Sequence, residues 1–152
     1  MMMLNLLKTD QVIINIDESW LNETNYTRMM WCPPSGQGTI TSKQVTPRIA
    51  LIAALDTNGR VYYSMSQANT DTDVLMLFMR YLIKQLDSES ADWRNDTIFL
   101  LDGAKYHVSE EMREYFRKMD VQVIYSGPYS FSTAPIELLF GALKRGNLNP
   151  EK

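Results

Sequence analysis

The chain has 152 residues, 45% of them hydrophobic and 22% charged, with a net charge of -3. That profile fits one globular domain and excludes a disordered chain, while the mild acidic balance argues against a surface given over to nucleic acid. With Cys32 as its only cysteine, the chain can form no internal disulfide and no multi-cysteine zinc site, so an intracellular, reducing compartment is expected. No apolar run nears the ~20 residues that span a membrane. The apolar start from Met1 to Leu7 lacks the basic region and cleavage site of a signal peptide.

In chain order, Gln11 to Asp17 (QVIINID) is a β-branched apolar run that predicts a buried strand. Tyr26 to Trp31 is a candidate hairpin partner, and Cys32 to Ser42, rich in Pro, Gly, Ser and Thr, predicts a loop. Arg48 to Asp56 (RIALIAALD) predicts a second core strand. Asp56-Thr57-Asn58-Gly59 has turn chemistry, and Arg60 to Ser66 returns as a third strand. A helix follows, capped by Asn69 or Thr70 with Asp71 and Asp73 in its first turn. Val74, Leu75, Phe78, Leu82 and Leu86 recur at helical spacing and predict its buried face. Thr97 to Leu101 (TIFLL) is wholly apolar, as the covered centre of a sheet requires. Ser109 opens a second helix that runs to about Met119, and Val121 to Tyr125 predicts a fifth strand. Pro135 suits the first turn of a last helix that runs to about Arg145.

The order β-β-β-α-β-α-β-α defines an α/β fold: a mixed five-stranded sheet, three antiparallel strands and then alternating strand and helix, with helices on both faces. That is the RNase H-like order, and it fills residues 1–152 as a single domain.

Three carboxylates stand at informative places. Asp17 ends the first strand, Asp102 ends the fourth and Glu137 opens the last helix. Ligands of open α/β sheets collect at strand ends, and in this topology the first and fourth strands are neighbours, so the three acids can converge. Converging carboxylates repel unless a cation neutralises them. Oxygen-only ligands select Mg²⁺ or Mn²⁺, and two ions about 3.5–4 Å apart make the clamp used in phosphodiester chemistry. Taken singly, each acid is more simply a turn or capping residue; together, each with its own local signature, they are harder to dismiss.

Ile16-Asp17-Glu18-Ser19-Trp20, Leu101-Asp102-Gly103-Ala104-Lys105-Tyr106-His107, and Gly127-Pro128-Tyr129-Ser130 followed by Pro135-Ile136-Glu137, Leu138, Phe140 and Leu143-Lys144 together carry a resemblance. The chain resembles the catalytic domain of the mariner-like superfamily of DDE transposases, from about Gln11 to Arg145. Trp31, Pro33 and Gly36 resemble the tryptophan-and-glycine stretch of the family's next strand. Between Asp102 and Glu137 lie 34 residues, a spacing typical of one branch. Three departures stand out: Gly103 where Asn is usual, Phe131-Ser132-Thr133-Ala134 in place of P-D-L-N, and Phe140 in place of Trp.

The resemblance implies a metal-dependent DNA transposase core with Asp17, Asp102 and Glu137 as catalytic and metal-binding residues. It implies two Mg²⁺ or Mn²⁺ ions, double-stranded DNA (transposon ends and target) as partner, and a homodimer in the full-length protein. On this resemblance, the family's N-terminal helix-turn-helix region and C-terminal helices are expected to be absent from the sequence. The expected location is intracellular and, for a chain that works on DNA, nuclear. Two alternatives remain open: a domesticated descendant serving as a structural or assembly subunit, and another RNase H-like nuclease acting on RNA–DNA hybrids.

His107, the only histidine, either contacts DNA phosphate or the scissile site, or simply sits before the helix opened by Ser109. With no visible partner to mark it as a base, the second reading is preferred. Lys105, Lys43, Arg48, Lys144 and Arg145 are candidate phosphate contacts, although surface charges need no such role. Glu18, on a strand, points away from Asp17 and is not counted as a ligand. Trp20, Trp31, Tyr62, Tyr63 and Phe78 are expected in the core rather than as base-stacking groups.

Overall fold

The computed structural model describes residues 11–21, 49–67, 69–127 and 134–145. The predicted hairpin partner at Tyr26 to Trp31, the loop at Cys32 to Ser42, and Lys43 and Arg48 lie outside them, as do residues 128–133.

Strands β1 (Val12–Leu21), β2 (Ile49–Asp56) and β3 (Val61–Ser66) precede helix α1 (Thr72–Glu89) and a four-residue helix α2 (Trp93–Asp96). Then come β4 (Thr97–Leu101), α3 (Glu110–Lys118), β5 (Gln122–Tyr125) and α4 (Pro135–Arg145). One sheet holds all five strands in the order β3-β2-β1-β4-β5. β1 and β2 pair antiparallel, as do β2 and β3, while β4 lies parallel to β1, and β5 to β4. This is the expected mixed sheet.

The β2–β3 turn forms because Asp56 acts as its anchor. Its carboxylate accepts from the backbone N–H groups of Asn58 and Arg60, both at 2.8 Å, and from Arg60 Nε at 2.6 Å. Gly59 takes a positive φ of 83° there, a conformation that favours glycine.

Each strand sends alternate residues to opposite faces. Ile14, Ile16, Ile52, Ala54, Phe99 and Leu101 form the larger core with α1 and α3, which contribute Leu75, Phe78, Met79, Leu82, Met112 and Phe116. Leu51 and Ala53 face the other way, under Ile136 and Phe140 of α4. Each fully buried side chain of this size stabilises the fold by roughly 1.5–3 kcal/mol, so both helical layers are tied to the sheet.

Four local expectations need correction. Asp71 caps α1, not Asn69 or Thr70, accepting from the N–H of Val74 at 3.0 Å; the buried face starts only at Leu75, so the helix begins later. α2 went unseen because four residues carry no periodicity; its Trp93 stacks on Phe99 at 5.8 Å. Trp20 is 36% exposed and Tyr63 57% exposed, not core. Trp20 lies beyond the last β1–β4 pairing at Asn15, and Tyr63 is on the edge strand β3. Last, Asp17 does not end β1, which runs on to Leu21 along β2.

Candidate active site

Asp17 reaches the acidic cluster because β4 stops short of it. β1 pairs with β4 from Val12–Thr97 to Asn15–Leu100, and two further residues along the same register bring Asp17 level with Asp102. Alternation puts Asn15 and Asp17 on the α4 face, with Ile14, Ile16 and Glu18 on the other. α4 delivers Glu137 to that face: Ile136 is fully buried beside Leu51 and Ala53, and Glu137 follows it in the first turn.

Sequence reasoning missed the residue that joins these parts. Asn15, 5% exposed, donates from Nδ2 to the carbonyl of Leu100 at 3.3 Å, and its Oδ1 accepts from the N–H of Ile136 at 3.2 Å. It satisfies one of the unpaired donors at the start of α4 and fixes that helix to both β1 and β4. A polar residue inside an otherwise apolar strand, QVIINID, was the available signal.

The electrostatics record the convergence. The Asp17 carboxyl is pushed up to about 6, first by burial and then by the negative charges of Glu18, Asp102 and Glu137, against the hydrogen bond it accepts from the N–H of Glu18. That bond, at 2.8 Å, engages Oδ1. Asp102 likewise uses Oδ1, which accepts from the N–H of Ala104 at 2.9 Å and faces His107 Nδ1 at 2.5 Å. Each aspartate thus keeps a second oxygen without a hydrogen bond among the described residues. Among those residues no three His, Cys, Asp or Glu side chains are gathered closely enough to grip one ion, so an ion would have to draw the three acids together. The donor set suits a hard divalent cation: it is all oxygen and partly buried.

His107 is where the structure departs furthest from the sequence reading. It is fully buried, and its Nε2 lies 3.0 and 3.1 Å from the two carboxylate oxygens of Glu18. The sequence offered it no partner; the fold supplies two carboxylates. Neither ring nitrogen is left to meet a phosphate. Burial lowers the His107 pKa, but the hydrogen bond and charge of Glu18, followed by those of Asp102, outweigh it and raise the value overall. Glu18 does point away from Asp17, as alternation requires, yet it belongs to the same polar assembly. Lys105 is exposed in the turn after Asp102, and Lys144 and Arg145 occupy the last turn of α4.

A mixed sheet in this strand order, with acids carried on two adjacent parallel strands and on a helix packed across them, defines the RNase H-like class of metal-dependent nucleic-acid enzymes. The DDE superfamily endonuclease model matches residues 12–151, and the chain belongs to that family. Among solved structures, the chain is similar to the Mos1 mariner paired end complex with Mn (TM-score 0.70, 20% identity, 88% of this chain and 42% of that one). It is also similar to the Mos1 strand transfer complex (TM-score 0.67, 19% identity, 91% and 43%). The Mos1 transposase catalytic domain with Raltegravir and Mg matches at a TM-score of 0.64 and 18% identity, over 89% and 63%. At these identities the likeness is one of fold. The chain spans about two fifths of the length of the Mos1 chains in the complexes. No curated protein matches it.

Proposed function

We propose that the chain is the metal-dependent catalytic core of a cut-and-paste DNA transposase. The observation that carries this reading is the placement of Asp17 and Asp102 at one level on neighbouring strands, with Glu137 brought over them by α4. Membership of the DDE endonuclease family supports it, as does likeness of fold to Mos1 complexes described with transposon ends, with strand transfer and with Mn or Mg.

Asp17 and Asp102 would share one Mg²⁺ or Mn²⁺, and Glu137 would complete a second site. Bound there, the ions supply an activated water or sugar hydroxyl and stabilise the leaving oxygen. The protein's own part is positioning. β1 and β4 hold two carboxylates at one level on neighbouring strands, and Asn15 seats the helix bearing Glu137. The reaction is hydrolysis of a phosphodiester at the transposon end, followed by attack of the freed 3′-hydroxyl on target DNA. The substrate is double-stranded DNA; Lys105, Lys43, Arg48, Lys144 and Arg145 are the cations available to its phosphates. Recognition of transposon ends, pairing into a homodimer and work in the nucleus go with this reading.

Calorimetric titration with Mn²⁺, comparing the wild-type chain with Asp102→Asn, tests this reading. Binding that the substitution abolishes is the expected result, followed by Mn²⁺-dependent nicking of supercoiled DNA. A folded wild-type chain that takes up no cation would overturn it in favour of a non-enzymatic descendant of the same fold.

A further inference from the structure

Glu18, Tyr106 and His107 take no part in the chemistry above, yet they make a connected polar cluster behind Asp102. His107 is completely buried and the Glu18 side chain is only 9% exposed, so the ring has no water as an alternative partner and the carboxylate has little. Carboxylate oxygens only accept hydrogen bonds, and both His107 nitrogens face them: Nδ1 faces Asp102 Oδ1 at 2.5 Å and Nε2 the two oxygens of Glu18 at 3.0 and 3.1 Å. The ring thus bridges the two carboxylates through both of its nitrogens. Tyr106 donates its hydroxyl to Glu18 Oε2 at 2.9 Å and sets its ring edge-on to His107 at 4.5 Å. Tyr125 donates its hydroxyl to the His107 carbonyl at 3.3 Å. The histidine is therefore held on both sides of its ring and at its backbone.

Asp102 differs. Its side chain is 48% exposed, and it stands just past the end of β4, where a carboxylate would otherwise rotate freely. What fixes it is Oδ1, held by the N–H of Ala104 and by His107. A hydrogen-bonded pair serving only the fold would close on itself; this one extends through the ring to an acid of the proposed metal site. β1 makes this possible by placing consecutive acids on opposite faces, Asp17 toward α4 and Glu18 toward His107.

We propose that Glu18 and His107 are positioning residues for Asp102: Glu18 fixes the imidazole ring, the ring fixes Oδ1 of Asp102, and the other oxygen is left to a divalent cation. This rests on the metal-site reading above. Groups that orient a metal ligand in this way typically contribute about 10–100-fold in metal affinity.

The test is Mn²⁺ titration of Glu18→Ala and Glu18→Gln alongside the wild type and Asp102→Asn, each checked for cooperative thermal unfolding. Glu18→Ala is expected to weaken Mn²⁺ binding by about 10–100-fold. Glu18→Gln loses less, because its amide oxygen still accepts from Nε2. If both variants are folded and bind Mn²⁺ as tightly as the wild type, the pair serves stability alone and the positioning role is overturned, even while Asp102→Asn abolishes binding. If Glu18→Ala does not fold, Glu18→Gln decides by the same criterion. A wild-type chain that binds no Mn²⁺ overturns the metal-site reading and this inference with it.

Discussion

Asp17 and Asp56 carry the same side chain at the level of β1–β2 pairing and do opposite work. Asp56 is buried but spends its charge on Arg60 and two backbone N–H groups, so it builds a turn. Asp17 is partly buried among other acids with a single backbone donor. A carboxyl raised to about 6 takes up a proton in the metal-free fold at a pH where the unfolded chain, with the ordinary value of 3.8, has already lost it. The metal-free protein therefore loses stability as pH rises between those values and through about 6, where the buried charge appears. A bound cation offsets that loss and competes with the proton. Accordingly, Mn²⁺ should raise the melting temperature more at about pH 7.5 than at about pH 5. Equal increments at the two pH values would count against Asp17 as a ligand. Gly103, the departure beside Asp102, imposes no geometry of its own: a Cβ there would meet nothing closer than the Ser126 carbonyl at 3.9 Å, so the change from the usual Asn leaves the strand end intact.

At the scale of elements, the site is a junction of β1, β4 and α4, and Asn15 is its fastener. Asn15→Ala removes an acceptor from the buried N–H of Ile136 and a donor from the part-buried carbonyl of Leu100. Leaving such groups unsatisfied costs about 1–3 kcal/mol. Urea unfolding should show that loss, and amide exchange at Ile136 should quicken as the start of α4 loosens; unchanged exchange there would mean α4 is seated by its apolar face alone. The helix ends were more legible. Ser109 caps α3 by accepting from the N–H of Met112 at 3.3 Å, and Pro135 opens α4, both as local chemistry predicts. The cap of α1 was displaced to Asp71, since the start of the buried face outweighed the preferences of Asn69 and Thr70.

For the whole molecule, the sheet is the common support. Phe99 sits fully buried in β4, stacked on Trp93 and edge-on to Phe116 at 6.2 Å, and so joins α2, α3 and the strand that ends at Asp102. Phe99→Ala is expected to cost about 3–5 kcal/mol, visible as a lower melting temperature. Because β4 also sets the level of Asp102, Mn²⁺ affinity should fall with it; a destabilised variant with unchanged affinity would separate the site from the core beneath it.

The sequence by itself determined the order of the five strands and the three longer helices, the Asp56–Gly59 turn and the sheet class, because these follow from local chemistry and short periodicities: alternation, helical spacing, caps and turn formers. Only the tertiary structure decided which side chains meet. His107 finds Glu18 across 89 residues, Tyr106 finds the same carboxylate across 88, and Asn15 finds Ile136 across 121. Those partnerships depend on β4 settling beside β1 in one register, which no window of the sequence contains. The exposure of Trp20 and Tyr63 has the same origin: an aromatic residue is buried by what packs over its strand, and among the described residues β3 is an edge strand and β1 runs past the end of β4.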